Sequence, residues 1–383
     1  MIDGAQPWME RALQLAERAR GRTSPNPPVG AVVVQGNTVV GEGWTQPPGG
    51  PHAEVVALKQ AGSAAQGAQL FVTLEPCTFW GRTPPCTNSI IRAGVRQVFF
   101  AARDPDRRIG AGAQAVLDAV GIATTQLQGY TARAEEQIAA FRCWTQQHRP
   151  LVIAKYAMTL DGKIATWTRD SRWVSGPAAR QLVHQLRDEV DAILVGVGTV
   201  VADDPALTTR LDAAWWRDVQ HPIRVIVDSH GRTPLSANVL DRKLPGQTII
   251  ATVDAAGEWQ AEVERRGAEV LRLPPDTDGR VDLHALLREL GQRNLTSLLV
   301  EGGAQILGRF AAEQLIDRIW AFVAPKLIGG AVAPNPMGHP GVALMNDAQP
   351  WRFVRHELVG DDLLIIAEPV STSTPTGEAK SSE

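Results

Sequence analysis

Residues 52–86 of this 383-residue chain bring together the side chains for hydrolytic metal chemistry. The stretch reads His52-Ala53-Glu54, then the apolar run 70–74, then Pro76-Cys77 and, after eight intervening residues, Cys86. One imidazole and two thiolates can give a tetrahedral zinc ion three ligands and leave the fourth position to water. That is the layout of a catalytic site rather than a closed structural one. An ion so held lowers the pKa of its water from about 16 towards about 7. Glu54 is close enough to take a proton from that water and pass it to a departing nitrogen, which would leave an amidine-like ring carbon as ammonia. Blander uses of the same residues exist. Cysteines are often buried small hydrophobes, and a structural zinc could complete its set with Cys143 or His148. We assign Cys143 a structural role.

The elements around these residues must bring them to one point. Positions i and i+2 do not share a helix face, so His52 and Glu54 can meet one ion only at a helix start, which Gly49-Gly50-Pro51 makes available. Met9, Leu13, Ala16 and Arg20 recur at helical spacing and predict an amphipathic helix over 8–20. Runs 29–34 and 38–40 predict strands joined by a Gln35-Gly36-Asn37 turn. A helix after His52, a strand at 70–74, a helix at 87–93, a buried strand at 95–101 and a helix at 113–120 follow. One long helix is expected over 131–147. Strands alternating with helices predict a sheet covered on its faces, an α/β layered domain. Pro150 closes that unit and a new strand begins at 151–157. The expected division is 1–148, 149–369 and a polar, aperiodic tail at 370–383.

Length sets about two domains. Hydrophobic residues make up 44% and charged residues 21%, ample for packed cores. A net charge of −3 leaves no basic footprint for nucleic acid or an anionic membrane. Three cysteines, two of them claimed by a metal, form no disulfide framework. The first ten residues carry Asp3 and Glu10 without an apolar centre, unlike a signal peptide, and no apolar run reaches about 18 residues. A soluble, cytoplasmic protein is expected.

The second half carries its own motifs. Lys155-Tyr156-Ala157-Met158-Thr159-Leu160-Asp161-Gly162-Lys163 follows its first strand. Ser175 or Gly176 as cap and Pro177 in the first turn start a helix to about 189, with Leu182, Leu186 and Val190 as its core stripe. A strand at 192–197 runs into Gly196-Val197-Gly198-Thr199, a common kind of glycine turn, and then Asp203-Asp204-Pro205, a loop signal more than a metal pair. The strand at 297–301 leads to Gly302-Gly303 and a helix at 304–313. Glycines there let backbone approach a pyrophosphate, and helix N–H groups favour anions, although the full Gly-x-Gly-x-x-Gly fingerprint is absent.

His-x-Glu followed by Pro-Cys and a second cysteine is the pattern of zinc deaminases. Cytidine and tRNA-adenosine deaminases separate the two cysteines by two residues, whereas eight stand between Cys77 and Cys86. With Gly81-Arg82-Thr83-Pro84-Pro85-Cys86, Pro25-Asn26-Pro27 and Asp104-Pro105, the chain resembles the bifunctional deaminase/reductases of riboflavin biosynthesis. Val300-Glu301-Gly302-Gly303 and residues 324–330 extend the resemblance, which spans roughly 5–368. It implies an N-terminal cytidine-deaminase-like α/β/α domain followed by a dihydrofolate-reductase-like α/β domain. It also implies zinc and NADPH as cofactors, deamination of a diaminopyrimidinone phosphoriboside, and reduction of its ribosyl group to ribityl.

By this resemblance His52, Cys77 and Cys86 bind zinc and Glu54 is the proton donor. Asn26 and Arg82 would meet the pyrimidine and the phosphate. Ala157, Trp173, Thr199, Asp203 and Ser229 would line the NADPH site. The loop and helix start of Gly303, Ala304, Gln305, Ile306, Leu307, Gly308 and Arg309 would complete it. Ser171, Arg187, Leu207, Arg210 and Glu301 would face the substrate. The chain departs from the family at Thr45 and just after Cys77, at Phe79 and Trp80, where histidines are common, and at Asp106, where asparagine is usual. A small-molecule substrate, no nucleic-acid or membrane partner, and a homo-oligomer are expected. Two rival readings are a nucleic-acid (tRNA) base deaminase with an accessory domain, and a non-catalytic protein whose zinc is structural.

Overall fold

Residues 6–211, 218–338 and 340–370 are described by a computed structural model; the expected tail at 370–383 lies outside them beyond Val370. The apolar run Val29 to Val34 is buried because both faces of its strand are covered. Helix α1 (Gln6–Ala19) lies over β1 (Gly30–Gln35), which turns into β2 (Thr38–Trp44), four residues longer than its apolar run suggested. Helix α2 (Ala53–Ala61) packs on β2 so tightly that a Cβ at Gly43 would fall 2.3 Å from the Ala53 carbonyl oxygen. A side chain there would push the start of α2 away.

The domain continues with β3 (Gln69–Leu74), α3 (Cys86–Ala93), β4 (Gln97–Ala102), α4 (Gly112–Asp118) and β5 (Ala123–Gln126). The strand order is β2-β1-β3-β4-β5, with β1 antiparallel to β2 and β3, and β3, β4 and β5 parallel. Phe71 and Phe99 stack between neighbouring strands with centroids 4.7 Å apart. The single long helix expected at 131–147 is instead two, α5 (Thr131–Gln137) and α6 (Ala139–Gln147). Ile138 leaves the helical region at φ −100°, ψ 12° and turns its side chain into the core. Burial of that side chain outweighs helix continuity.

His148, in the left-handed conformation, ends α6, and β6 (Leu151–Thr159) starts the second sheet. The chain runs on through α7 (Pro177–Glu189), β7 (Ala192–Gly196), α8 (Val197–Asp203), β8 (Ile223–Val227), β9 (Thr248–Thr252), α9 (Gly257–Arg265), β10 (Glu269–Arg272) and α10 (Leu283–Gln292). Then come β11 (Ser297–Val300), α11 (Ala304–Ala312), β12 (Arg318–Ala324), β13 (Trp351–Val359) and β14 (Asp362–Pro369). The order is β10-β9-β8-β7-β11-β6-β12-β14-β13, parallel except where β14 meets β12 and β13. Gly176 is the cap of α7 and Pro177 its first residue. Residues 197–199, expected as a glycine turn, open α8. Asp204 caps that helix end and holds Asn238 through both carboxylate oxygens, a loop role and not a metal pair.

The domains touch closely. Trp144 Nε1 donates to the Gly291 carbonyl at 2.8 Å, and a Cβ at Gly291 would lie 2.3 Å from the His148 carbonyl oxygen. Among the described residues no helix is long and apolar enough to cross a membrane.

Candidate active sites

The C-terminal ends of β3 and β4 and the N-terminal ends of α2 and α3 converge on one point, the usual place for a ligand in an open α/β sheet. His52 is the N-cap of α2 and Glu54 stands in its first turn, so the helix-start argument holds. Cys77 follows β3, and Cys86 is the first residue of α3, its N–H donating to Cys77 Sγ at 3.3 Å. His52 Nδ1 lies 3.2 Å from Cys86 Sγ and 3.7 Å from Cys77 Sγ. All three donor atoms fall within 4.8 Å of one another, the one such His/Cys/carboxylate group among the described residues. Bonds of about 2.3 Å to sulfur and about 2.0 Å to nitrogen place tetrahedral S and N ligands about 3.6 Å apart. The two distances from His52 to the thiols bracket that value, so the trio suits zinc.

Local hydrogen bonds set the ligand roles. Thr83 Oγ1 sits 3.4 Å from His52 Nε2 and steers Nδ1 towards the thiols. The hydrogen bond from Cys86 holds the Cys77 thiol down at about 4, towards the thiolate that binds metal, while the same contact pushes Cys86 up. Burial raises the Glu54 carboxyl above its ordinary value, which suits a group that must hold a proton and give it away. Cys143 is buried away from the trio, its Sγ 3.7 Å from the Arg149 carbonyl oxygen.

A cavity of about 280 Å³ opens over the trio. Asn26 and Arg82 line it as expected, with Thr45, Phe79 and Asp106. Trp80 does not; it is 73% exposed. Thr45 Oγ1 accepts from Val29 N–H at 3.1 Å, tying the strand to its loop. Asp106 accepts from Arg108 at both oxygens, and Arg108 lies 4.3 Å over the Phe79 ring. Three of the departures from the family thus line the cavity, two of them joined through Arg108. Two further carboxyls stand at the site: Glu75, which no motif marked, and Asp104, named only as part of a motif. Buried Glu75 takes Ala113 N–H at 2.9 Å and anchors α4 under the site. Burial pushes Asp104 up to about 7.

In the C-terminal domain the loops after β6, β7, β8 and β11 meet. Asp161 accepts from Thr159 Oγ1 and from the N–H of Gly329, joining the two motif loops beside β6. At Gly302 a Cβ would fall 1.8 Å from Ile306 Cγ2, so any larger residue would force the Ile306 side chain at the start of α11 to move. Gly303 caps α11 and donates to Thr199 Oγ1 at 3.3 Å. A cavity of about 780 Å³ runs along this helix start, room for a dinucleotide with its phosphates on the α11 N–H groups. It is lined by Thr199, Asp203, Ser229, Gly303, Ala304, Gln305, Ile306 and Arg309. A second cavity of about 340 Å³ shares Ile164 and Ser171 with it and is lined by Arg187, Arg210 and Glu301, and also by Ala157, Trp173 and Leu307, which were expected beside NADPH but line this cavity and not the larger one.

Some expected residues sit elsewhere. Gly308 is inside α11 and Leu207 is packed in the core; neither lines a cavity. Arg309 donates to Asp276 and to the Val281 carbonyl, each at 2.8 Å, as a wall residue. Arg187, expected to face the substrate, lines that second cavity but is held by Glu301 at 2.7 and 2.9 Å. Lys155, named only as part of a motif, places Nζ 3.9 Å from Glu301. Burial would raise the Glu301 carboxyl, yet the two cations hold it at about 2. Burial lowers Lys155 and takes His184 down to about 4.

Comparison with known proteins follows this geometry. Residues 150–365 match the RibD C-terminal domain, and residues 3–102 match the cytidine and deoxycytidylate deaminase zinc-binding region. Riboflavin biosynthesis protein RibD of Aquifex aeolicus is 39% identical, over 94% of this chain and 96% of its own length. The Escherichia coli protein of that name is 37% identical over 94% and 97%. A RibD structure from Acinetobacter baumannii superposes with a TM-score of 0.86 at 33% identity, covering 97% of this chain and 100% of the other. A diaminohydroxyphosphoribosylaminopyrimidine deaminase/5-amino-6-(5-phosphoribosylamino)uracil reductase from Thermotoga maritima does so at 0.82 and 31%, covering 95% and 98%. These matches account for the half that a nucleic-acid base deaminase would leave unexplained. The chain belongs to the RibD family of riboflavin biosynthesis, bifunctional enzymes that join a zinc-dependent deaminase to an NADPH-dependent reductase.

Proposed function

We propose that the chain deaminates 2,5-diamino-6-(5-phosphoribosylamino)pyrimidin-4-one and then reduces the ribosyl group of the product, giving 5-amino-6-(5-phosphoribitylamino)uracil. The observation that carries the first step is buried Glu54 in the first turn of the helix that His52 caps, beside two thiols at zinc-ligand spacing. His52, Cys77 and Cys86 would hold a zinc ion, which when bound would supply a water of lowered pKa. Glu54 takes a proton from that water and delivers it to the leaving nitrogen. Water oxygen becomes the ring carbonyl and ammonia departs. Asn26 orients the pyrimidine and Arg82 receives the phosphate, for which a guanidinium fork is suited.

In the second step NADPH supplies hydride. The larger C-terminal cavity would hold the cofactor and the smaller the sugar, and Ser171, which lines both, stands where the two would meet. Arg210 is the cation we assign to the phosphate, while Arg187 positions Glu301. The division at 148/149 gives each half one reaction. A cytoplasmic homo-oligomer completes the proposal; β13 is the sheet edge and exposes Phe353 and Leu358, a surface suited to a second copy.

The test supplies purified protein with the phosphoriboside and NADPH and follows ammonia and NADPH together. Ammonia followed by loss of NADPH is expected. Silence in both, also with the deaminated intermediate, rejects the substrate.

A further inference from the structure

The zinc cavity is not closed by the N-terminal domain alone. Its wall includes Asn294, from the turn between α10 and β11 of the other domain. Beyond it lies a polar crevice of about 560 Å³ between the domains, bounded by Gly49 and Ser24 on one side and by Gln220, His221 and Arg293 on the other. Pro25, Arg82 and Asn294 belong to both linings, so they form the neck between the cavities.

The neck is built for a polar arm. Asn294 is held at φ 63° by the chain turn after α10, with its N–H on the Gly291 carbonyl. Asparagine is one of the few residues that takes this conformation readily. Among the described residues the carboxamide of Asn294 has no hydrogen-bond partner, and the Arg82 guanidinium has no ion pair. The other charges of the crevice are engaged. Arg293 is bound to Glu269 and Glu289, and Asp191 Oδ2 accepts from Thr296 N–H, Thr296 Oγ1 and Ser297 N–H. A cavity of about 280 Å³ is small for a pyrimidine with its sugar phosphate, since ligand sites span about 300–1,000 Å³.

We propose that the phosphoribosyl arm of the deaminase substrate leaves the zinc cavity between Arg82 and Asn294 and lies in the interdomain crevice, so that the C-terminal domain supplies Asn294 to the deaminase site. This rests on the substrate reading above and adds the path of the arm and a positioning residue from the second domain.

The experiment uses the full, zinc-loaded chain with Asn294→Gly, Asn294→Asp and Arg82→Ala. Glycine and aspartate both tolerate the left-handed backbone. Ammonia release is followed with the phosphoriboside and with its dephosphorylated counterpart. The Gly variant should raise KM by about tenfold, the loss of one hydrogen bond to a charged group, with kcat within about twofold. The Asp variant should raise KM further with the phosphoriboside, and that excess should vanish without the phosphate. NADPH oxidation with the deaminated intermediate should not change, which shows the fold intact. Unchanged KM in both Asn294 variants alongside a raised KM in Arg82→Ala overturns the crevice path and leaves the substrate reading standing. A wild-type chain that releases no ammonia from either compound overturns both.

Discussion

Arg22 of the N-terminal domain grips Asp188 of the C-terminal domain. Its Nη2 lies 2.9 and 2.8 Å from the two carboxylate oxygens, and its Nη1 lies 2.8 Å from the Asp188 carbonyl oxygen. The Asp188 side chain is 0% exposed. Removing Arg22 takes the guanidinium away from a fully buried carboxylate, which keeps other contacts such as the Gln220 N–H but loses a bidentate cation. Arg22→Ala should therefore lower stability by about 3–5 kcal/mol, read from urea unfolding. A shift in midpoint no larger than that of an exposed arginine variant would remove this contact from the interface account.

Glu54→Gln keeps the size of the side chain and removes its ability to carry a proton. The variant should bind zinc as the wild type does, by metal analysis, and release ammonia about 10²–10⁴-fold more slowly. Unchanged ammonia release would reject Glu54 as the proton carrier.

The two chemistries should separate on metal removal. A chelator strong enough to strip the His52, Cys77 and Cys86 trio should abolish ammonia release. NADPH oxidation with the deaminated intermediate should continue, because Asp161, Gly303 and Glu301 are arranged without those ligands. Parallel loss of both activities would show that the metal also supports the second domain.

Glu301 gives a pH dependence with a definite sign. Its carboxyl sits at about 2 in the folded protein, against about 4.3 for an unfolded glutamate. A depressed pKa contributes stability above the unfolded value, and that contribution is lost as pH falls from about 4.3 through about 2. Glu301→Gln should be less stable than wild type by a constant amount from about pH 5 to pH 8. Thermal melts should show the gap narrowing below about pH 4. A gap that widens in acid would mean that Arg187 and Lys155 do not hold the carboxylate.

The zinc trio was legible because its residues fall close together and their chemistry fixes their geometry: a histidine capping a helix, a glutamate in its first turn, a cysteine at the next helix start. Strands β3, β4, β6 and β11 were legible as apolar runs. Strand β5, Ala-Thr-Thr-Gln, was not, because an edge strand can remain half polar. The break at Ile138 was hidden because helix-forming residues flank it on both sides. The pairing of Arg187 was hidden for a different reason. Its partner Glu301 is 114 residues away, and nothing near Arg187 in sequence announces a carboxylate. Asn294 and Asp188 likewise acquire their surroundings only when the two domains dock.

The order of the second sheet bears on how the chain folds. β6 is the first strand of that domain to be made, yet its neighbours are β11 and β12, the closest of which begins at Ser297. During synthesis the first sheet can close once β5 is made, whereas β6 must wait for more than a third of the chain. Pairing so distant in sequence is slow, because loop-closure entropy is lost before contacts form. Until β11 emerges, the apolar flanks of β6 stand open to other chains, so aggregation during expression should trace to this interval rather than to the deaminase half.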